Sequence, residues 1–457
     1  MKKLLCVAAT VASAIATPAS AQSQQDQLDA RYDRALAAGY KALFLCSAIA
    51  NAEANGVTRS IESVEAWELT GIQAPLDTIV PTLEHRVMRA QSGEGVLSYV
   101  EVDWADNMPP RLAWHKDEGG CALGPIGMAE PPKREKLPRS YPDAIVNDHD
   151  RIITGKPAEV FDAAFDGTYG EGSRTTAVIV SGKSGDGLWR SAKDFGPATP
   201  QRTWSVAKSI AATLVGVAVQ RGDTDVSMAA DLDVSLSDPR SEITIDHMLR
   251  MASGRYSDTP GNRTDPLYFG GSTVAETATH WPIVHSPGSV YRYANNDTLM
   301  AVESIDHMFA SYAPADFFRQ AGMGNTVAET DWRGDYILSS QVWSTAPDLM
   351  RLGQLYLNDG VLPDGTRILP ENWVEYVSSP TGPQPEGRDM GYGAGFWLFN
   401  QYEGIPPDTF AAMGNRGQYV VIVPSKGIVI VRRGEDPVGA RFDIQAFTRD
   451  VLTALRD

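Results

Sequence analysis

Hydrophobic positions recur at helical spacing in two long stretches of the chain. The first stretch covers 27–55 and predicts one long helix, with Gly56 as its stop signal. The second begins after Ser205 and continues to another glycine stop at Gly222. Its apolar positions are Val206, Ile210, Leu214 and Val217, with Ala207, Ala211, Val215 and Ala218 beside them. We therefore expect a strongly apolar helix that starts directly behind Ser205.

Short apolar runs predict strands in two groups. Runs over 176–180 and 188–191 flank a Gly/Asp-rich turn and predict a hairpin. Near the C-terminus, the predicted elements are strands over 395–400, 418–423 and 427–432, and a helix over 442–455. Helical segments and loops lie between the two groups. We therefore expect an α+β fold (an α/β sandwich), in which helices flank one antiparallel sheet built from both chain ends.

The proline-rich stretch 131–144 divides the chain and predicts an extended linker. Before it, 22–130 predicts a small N-terminal α+β region. After the first long helix, the predicted elements of this region are a short helix over 60–69 and strands over 95–103 and 111–115. After the linker, 145–457 forms the larger domain.

The first 21 residues have the pattern of a secretory signal peptide. Lys2 and Lys3 form the charged start, residues 4–15 the apolar stretch, and residues 19–21 the small-residue cleavage site. A membrane anchor is disfavoured because about 20 apolar residues are needed to span a bilayer. No later segment is expected to span a membrane. The protein is therefore expected to be exported, either to the periplasm or out of the cell.

Charge and cysteine content limit the partners and the compartment. The net charge is −17 at pH 7, and such an acidic chain repels nucleic acid and anionic membranes. Of the three cysteines, Cys46 and Cys121 remain after removal of the signal. In an exported protein two such thiols predict a disulfide. The alternative, a cysteine nucleophile, lacks an obvious partner histidine.

The start of the second long helix carries the candidate chemistry. Ser205 and Lys208 are three residues apart, so they share a helix face and their side chains can meet. A serine becomes a nucleophile when a neighbouring base takes its proton, and a buried lysine with a lowered pKa can be that base. Chance gives about one such spacing in a chain of this length. The motif therefore depends on support from other segments.

Two further segments supply such support. A Pro-Gly turn leads into Tyr293 and Asn295, where a phenol beside a lysine can shuttle a proton and a carboxamide can bind an amide or ester. A second Tyr-x-Asn at 356–358 lies in a helical pattern and is interpreted as packing. In 413–420, glycines precede an apolar strand, where a free N–H could bind an oxyanion. In isolation, this last segment is more typical of a β-turn before a core strand.

Together and in this order, the three segments resemble the penicillin-recognising serine hydrolases. These include class C β-lactamases, D-alanyl-D-alanine carboxypeptidases, and their esterase and 6-aminohexanoate-oligomer hydrolase relatives, the branch with the closest likeness. The resemblance covers 145–457, and the stretches 243–254 and 344–349 are similar to signature segments of the superfamily. It implies a β-lactamase/transpeptidase-like fold with a mostly helical subdomain beside the sheet.

The resemblance also implies roles for individual residues. Ser205 is the nucleophile, Lys208 and Tyr293 form the base system, and Asn295 contacts the substrate. Backbone N–H groups of Ser205 and Gln418 form the oxyanion hole. Where β-lactamases carry Lys-Thr-Gly, this sequence departs from the pattern; the corresponding residues are Asn415, Arg416 and Gly417, and Arg416 is the candidate for the cation.

The sequence therefore favours an exported serine hydrolase that cleaves a small amide or ester. The alternatives are a D-alanyl-D-alanine carboxypeptidase or penicillin-binding protein, a β-lactamase, or a non-catalytic binding module. No metal or organic cofactor is expected, and His280 and His285 are interpreted as structural. Five aromatic residues either line an apolar cleft or pack in the core: Trp204, Tyr256, Trp332, Trp343 and Trp397.

Overall fold

The computed structural model describes residues 18–90, 95–117, 119–133, 154–182, 187–230, 232, 234–257, 264–278 and 280–455. Residues 1–17 of the predicted signal peptide and residues 134–144 of the predicted linker lie outside these ranges.

The helices in these ranges are α1 (Pro18–Ala54), α2 (Ile61–Trp67), α3 (Leu76–Ile79), α4 (Lys156–Ala163), α5 (Val206–Arg221), α6 (Ile245–Leu249), α7 (Asp265–Tyr268), α8 (Val274–Ala278), α9 (Asn295–Glu303), α10 (Asp306–Phe309), α11 (Pro314–Gln320), α12 (Ala346–Leu357), α13 (Trp373–Ser378) and α14 (Ile444–Ala454). The strands are β1 (His85–Arg89), β2 (Leu97–Val102), β3 (Arg111–His115), β4 (Cys121–Leu123), β5 (Thr175–Gly182), β6 (Gly187–Ser191), β7 (Gln201–Arg202), β8 (Val327–Ala328), β9 (Val342–Ser344), β10 (Gly391–Tyr392), β11 (Trp397–Leu398), β12 (Phe410–Gly414), β13 (Gln418–Val423) and β14 (Ile428–Gly434).

The main sheet joins both ends of the larger domain. Its strand order is β10-β11-β12-β13-β14-β5-β6, and neighbouring strands are antiparallel. Strand β14, near the C-terminus, pairs directly with β5, so that Ile430 lies opposite Val180. This confirms the prediction of one antiparallel sheet built from both chain ends. A second, small sheet has the strand order β7-β9-β8. Its strand β7 ends just before Ser205.

Both faces of the main sheet are buried, which explains its continuous apolar strands. Successive side chains of a strand point to opposite faces. Thus Val421 packs with α4 and α14 in one core cluster, while Val420 packs with α5 and α12 in the other. A strand covered on both sides needs apolar residues at every position. The fold is therefore a helix–sheet–helix sandwich, as expected.

Helix α5 is apolar on all sides because it lies inside the domain. Its residues 206–218 are all buried. It packs against β12, β13 and α9. Gly222 ends it in the left-handed conformation, with φ 82°, as the sequence predicted. The residue in front of the helix, Ser205, is therefore held at the buried end of this element.

The N-terminal region consists of the antiparallel sheet β1-β2-β3-β4 with α1 packed against it. By length and composition, Ser23–Ala54 of α1 could cross a membrane, which the sequence prediction did not anticipate. Its apolar window is entirely buried inside the fold. Helix α1 also reaches the larger domain, where Tyr40 packs on Phe269 and Phe44 packs on Trp204.

Seven strands of the described residues were not predicted from the sequence: β1, β4, β7, β8, β9, β10 and β12. Strand β12 matters most because it leads into the glycines of the 413–420 segment. Its sequence, Phe-Ala-Ala-Met-Gly, contains no β-branched residue, and β-propensity alone therefore does not indicate a strand. Pairing with β13, from Phe410↔Ile422 to Gly414↔Gln418, holds it extended. The strand predicted over 395–400 is shorter and covers only Trp397–Leu398.

Cys46 of α1 and Cys121 of β4 form the predicted disulfide, and both residues are buried. Replacing both with alanine is expected to lower the free energy of unfolding by about 2–5 kcal/mol, because the bond closes a long loop in the unfolded chain. Urea unfolding followed by fluorescence measures the change. Wild-type protein unfolded with a reductant present should show the same loss, whereas an unchanged midpoint in the double variant would contradict this expectation.

Candidate active site

Ser205 occupies the N-terminal end of α5 and is partly exposed. Its side chain makes no capping hydrogen bond to the helix, so Oγ is available for other contacts. Trp204, the residue before it, has φ 50°, a backbone conformation that is uncommon for residues other than glycine. Strained backbone of this kind is concentrated at functional sites. The turn presents Oγ at the N-terminal end of α5, where the helix dipole favours developing negative charge.

Lys208 lies one turn along α5 and is almost completely buried. Its Nζ donates to three acceptors: Ser205 Oγ at 3.1 Å, Asn295 Oδ1 at 2.5 Å and the Ser339 carbonyl oxygen at 2.9 Å. Burial first, and the charge of Arg202 second, lower the pKa of Lys208 to about 7. The amine is therefore able to exist in its neutral, proton-accepting form near neutral pH. The structure thus brings the two residues of the Ser-x-x-Lys motif together.

Tyr293 contacts both residues of the motif. The ring centroid is 5.1 Å from Lys208 Nζ, and its hydroxyl interacts with Ser205. Burial raises the pKa of Tyr293 above its usual range, and the interaction with Ser205 only partly offsets this effect. The ring packs against Trp397, with centroids 5.5 Å apart. Tyr293 therefore faces both Ser205 and Lys208 as a protonated phenol.

Asn295 is buried, and both ends of its amide are occupied. Oδ1 accepts from Lys208, and Nδ2 donates to Thr264 Oγ1 at 2.9 Å. The sequence expectation was that Asn295 contacts the substrate. The structure instead places its carboxamide between Lys208 and Thr264, where it orients the amine.

Arg416 does not supply a cation to the site, and this corrects the sequence expectation. The residue is buried, and its Nε donates to Glu435 at 2.7 Å. Nη2 donates to the carbonyl oxygens of Trp67 and Thr70 in the N-terminal region. A buried guanidinium needs such partners, and they turn it away from Ser205. Arg416 therefore connects the N-terminal region to the sheet.

Of the remaining residues of the third segment, two are enclosed in the structure and one is exposed. Gly417 lies against Arg432 and Asp436, where a Cβ would overlap both side chains. The side chain of Gln418 donates to the Gly434 carbonyl and accepts from Arg433, inside the sheet. Asn415 is exposed at the turn that follows β12. Of the four residues predicted here, Asn415 alone is both exposed and adjacent to Gly414.

Gly414, which the sequence analysis did not single out, makes the close approach to the nucleophile. A Cβ on this residue would overlap the Thr203 carbonyl oxygen and lie 3.1 Å from Ser205 N. Strand β11 pairs with β12 only at Phe410 and Ala411, so no strand of the described residues pairs with this edge of β12 beyond them. The open edge near Gly414 and Asn415 therefore faces the Ser205 backbone.

Gly414→Ala is expected to slow acylation of Ser205 by about 10²-fold, because a shift of about 1 Å in the reacting groups has an effect of this size. The added methyl group must displace either β12 or the Thr203–Ser205 turn. The rate of hydrolysis of an activated ester measures the effect. Gly324→Ala is the matched control, since a Cβ there would meet open space. Equal rates for the two variants would contradict the assigned position of β12.

Several residues of the site gave no recognisable signal in the sequence. Thr264 and the Ser339 carbonyl hold Asn295 and Lys208, yet neither belongs to a motif. The only indication of the β12 edge in the sequence was Gly414, a glycine that directly follows an apolar run. Among the described residues, no group of three His, Cys, Asp or Glu side chains could hold a metal ion.

Comparisons with known proteins identify the family and the fold. The sequence model of the β-lactamase family matches residues 161–453. A solved structure designated provisionally as a 6-aminohexanoate-dimer hydrolase, from Bacillus anthracis, is 20% identical with TM-score 0.53, covering 62% of this chain and 79% of its own. A provisionally designated β-lactamase from Bacteroides dorei is 16% identical with TM-score 0.53, covering 66% of this chain and 98% of its own. No curated protein matches the chain. Because the family match extends over more than half of the sequence, the chain belongs to the β-lactamase family.

Proposed function

We propose that this protein is a serine hydrolase that cleaves a small amide or ester through an acyl-enzyme on Ser205. One observation carries the proposal: Lys208 Nζ lies 3.1 Å from Ser205 Oγ in a buried environment that lowers the pKa of the amine to about 7. A neutral amine at hydrogen-bond distance from a hydroxyl is the arrangement that activates a serine nucleophile. The fold of a serine hydrolase superfamily supports the same chemistry.

In the first step, neutral Lys208 accepts the Ser205 hydroxyl proton as Oγ forms a bond to the carbonyl carbon. The carbonyl oxygen takes the negative charge. The N–H of Ser205 and the N–H of Asn415, at the open edge of β12, are the donors we assign to this oxyanion. Each such donor is worth about 2.7–4 kcal/mol of transition-state stabilisation. Gln418, the donor expected from the sequence, lies on β13 between two paired strands and is less suitable.

Acylation is completed when the proton held by Lys208 passes to the leaving group as its bond to the carbonyl carbon breaks. Tyr293 relays this proton, because its hydroxyl is protonated and reaches Ser205. In deacylation, water attacks the acyl carbon as Lys208 accepts its proton. Lys208 returns this proton to Oγ as the bond between Oγ and the acyl carbon breaks, which releases the acid and restores the Ser205 hydroxyl and the neutral amine. Lys208 is the base in both halves, since the pKa of Tyr293 is raised and that of Lys208 is lowered.

The hydrogen bonds that Arg416 makes limit the class of substrate that the site can bind. With its guanidinium bonded to Glu435 and the N-terminal region, it is not available for the carboxylate of a penicillin. This observation counts against the β-lactamase and carboxypeptidase alternatives and favours an ester or a linear amide. The intact contacts of Ser205, Lys208 and Tyr293 count against a non-catalytic binding module. Export to the periplasm or beyond remains part of the proposal and is supported by the Cys46–Cys121 disulfide.

A fluorophosphonate probe tests the nucleophile. Incubation followed by peptide mapping should locate one adduct on Ser205, and an adduct on another residue would overturn the assignment. A panel of p-nitrophenyl esters, nitrocefin, D-alanyl peptides and linear amides then ranks the substrate classes. Linear amides belong in the panel because one structural neighbour is designated a 6-aminohexanoate-dimer hydrolase. Hydrolysis of an ester or linear amide in preference to nitrocefin is the expected result.

A further inference from the structure

Arg202, on β7, is a buried cation for which the reaction steps above give no role. It has an exposed fraction of 1%, and its guanidinium forms no salt bridge within the described residues. Four aromatic rings surround it, with centroids at 4.1 Å (Trp204), 5.1 Å (Phe44), 5.3 Å (Tyr268) and 5.9 Å (Phe269). A buried charge with no carboxylate at salt-bridge distance is costly. The residue is therefore expected to have a function that offsets this cost.

The contacts of Arg202 join the two backbone segments that form the Lys208 environment. On one side it stacks on Trp204, the residue with positive φ directly before Ser205. On the other side its Nη2 donates to Ser340 Oγ at 2.8 Å, and its Nε donates to the Ser340 carbonyl at 3.4 Å. The adjacent carbonyl of Ser339 is one of the acceptors of Lys208.

We propose that Arg202 is a positioning residue for the reaction, which clamps the Trp204–Ser205 turn against the Ser339–Ser340 segment so that both stay in place around Lys208. This inference rests on the proposed function of Ser205 and Lys208. Phe44 belongs to α1, so the N-terminal region completes the aromatic enclosure of this arginine. In this respect the N-terminal region is part of the catalytic scaffold.

The charge of Arg202 also acts on Lys208. It is the one charged group that contributes to the lowered pKa of Lys208, after burial. The other groups that meet the amine are neutral at pH 7: Ser205, Asn295, the Ser339 carbonyl and Tyr293. Around Arg202 itself, burial lowers its pKa to about 10, while Tyr40, Tyr268, Glu329 and Glu435 act in the opposite direction. Arg202 thus stays charged at neutral pH and disfavours the protonated form of Lys208.

Arg202→Met and Arg202→Lys separate the effects of charge and shape. The readout is the acylation rate of Ser205, followed with an activated ester between pH 5 and 10. In Arg202→Met, the increase of the acylation rate with pH should occur at a higher pH than in the wild type. The rate at pH 7 should fall by about 10²-fold, as expected for misplaced reacting groups, and recover partly by pH 10. With lysine, the rise should stay at the wild-type pH because the charge is retained.

Arg433→Met is the matched control. Arg433 is equally buried and donates to the carbonyl oxygens of Gln201 and Arg202, but it has no part in the lowered pKa of Lys208. In this variant the acylation rate should increase with pH over the same range as in the wild type, even if the rate itself falls. The inference would be overturned if Arg202→Met lowered the acylation rate by the same factor at every pH, or did not lower it.

Ser340→Ala covers the case in which Arg202→Met does not fold. It removes one acceptor of Arg202 while leaving the charge in place. We expect it to reduce the acylation rate severalfold without moving the rise, and an unchanged rate would overturn the clamp. Failure of wild-type protein to label at Ser205 would refute the proposed function instead, so the two outcomes are distinguishable.

Discussion

Ser205→Ala is expected to lower hydrolysis of every cleaved substrate by about 10⁶-fold, as the loss of the nucleophile does in another serine hydrolase. The variant should also lose all labelling by the fluorophosphonate. The physical reason is that the nearby Ser339 hydroxyl cannot replace Oγ. Ser339 Oγ shares a 2.6 Å hydrogen bond with the buried Tyr268 hydroxyl. Steady-state kinetics and intact-protein mass spectrometry measure the two losses.

Ser209→Ala is the matched control for this experiment. Ser209 lies four residues further along α5, is buried, and donates from Oγ to the Gly395 carbonyl at 2.6 Å. Its replacement removes a buried hydrogen bond, so the free energy of unfolding should fall by about 1 kcal/mol. Activity should remain close to that of the wild type. If Ser205→Ala retained activity and Ser209→Ala lost it, the nucleophile would be wrongly assigned.

The parts of this structure that could be predicted from the sequence are those with a local physical pattern. Helix α5 follows from its apolar spacing, and its end follows from Gly222. The hairpin β5–β6 follows from two apolar runs around a polar turn. The pairing of Ser205 with Lys208 also follows locally, because residues three apart on a helix share a face. Where residues close in sequence determine the geometry, the prediction holds.

The third segment shows where local patterns are insufficient. An arginine after glycine and asparagine suggests a cation for the substrate, yet Arg416 has φ 57° and turns its side chain toward Glu435 and α2. Nothing local indicates that Glu435, on the far side of a hairpin, is its partner. Similarly, Gly414 becomes significant only once β12 is placed against the Thr203–Ser205 turn. Both features depend on contacts between distant parts of the chain.

Backbone groups form a second class that sequence reading misses. Every residue has a carbonyl, so no residue type marks Ser339 as an acceptor for Lys208. Arg202 illustrates the same difficulty for side-chain contacts, because its neighbour Phe44 is far away in the sequence. The sequence gives no reason to connect α1 with the nucleophile. The N-terminal region therefore could be predicted as α+β, but its role behind the site could not.

Lys208→Met is expected to lower the acylation rate by about 10²–10⁴-fold, the usual contribution of a general base. In the wild type the rate should rise with pH through about 7, because only the neutral amine can accept the Ser205 proton. The variant should lose this rise. Lys208→Arg should be equally impaired, since a guanidinium stays protonated. The pH dependence of kcat/KM between pH 5 and 10 measures these effects, and a wild-type rise preserved in Lys208→Met would contradict the assignment.

The same lowered pKa predicts how stability depends on pH, independently of any substrate. Between about 7 and 10.5, the unfolded chain binds a proton at Lys208 that the folded protein has released. The unfolded state then binds more protons, so the stability contributed by this residue increases with pH across that window. The difference in free energy of unfolding between wild type and Lys208→Met should therefore shift in favour of the wild type from pH 7 to pH 9.5. Urea unfolding at both pH values measures the shift, and a difference that does not change would mean that Lys208 has an ordinary pKa and cannot be the base proposed for Ser205.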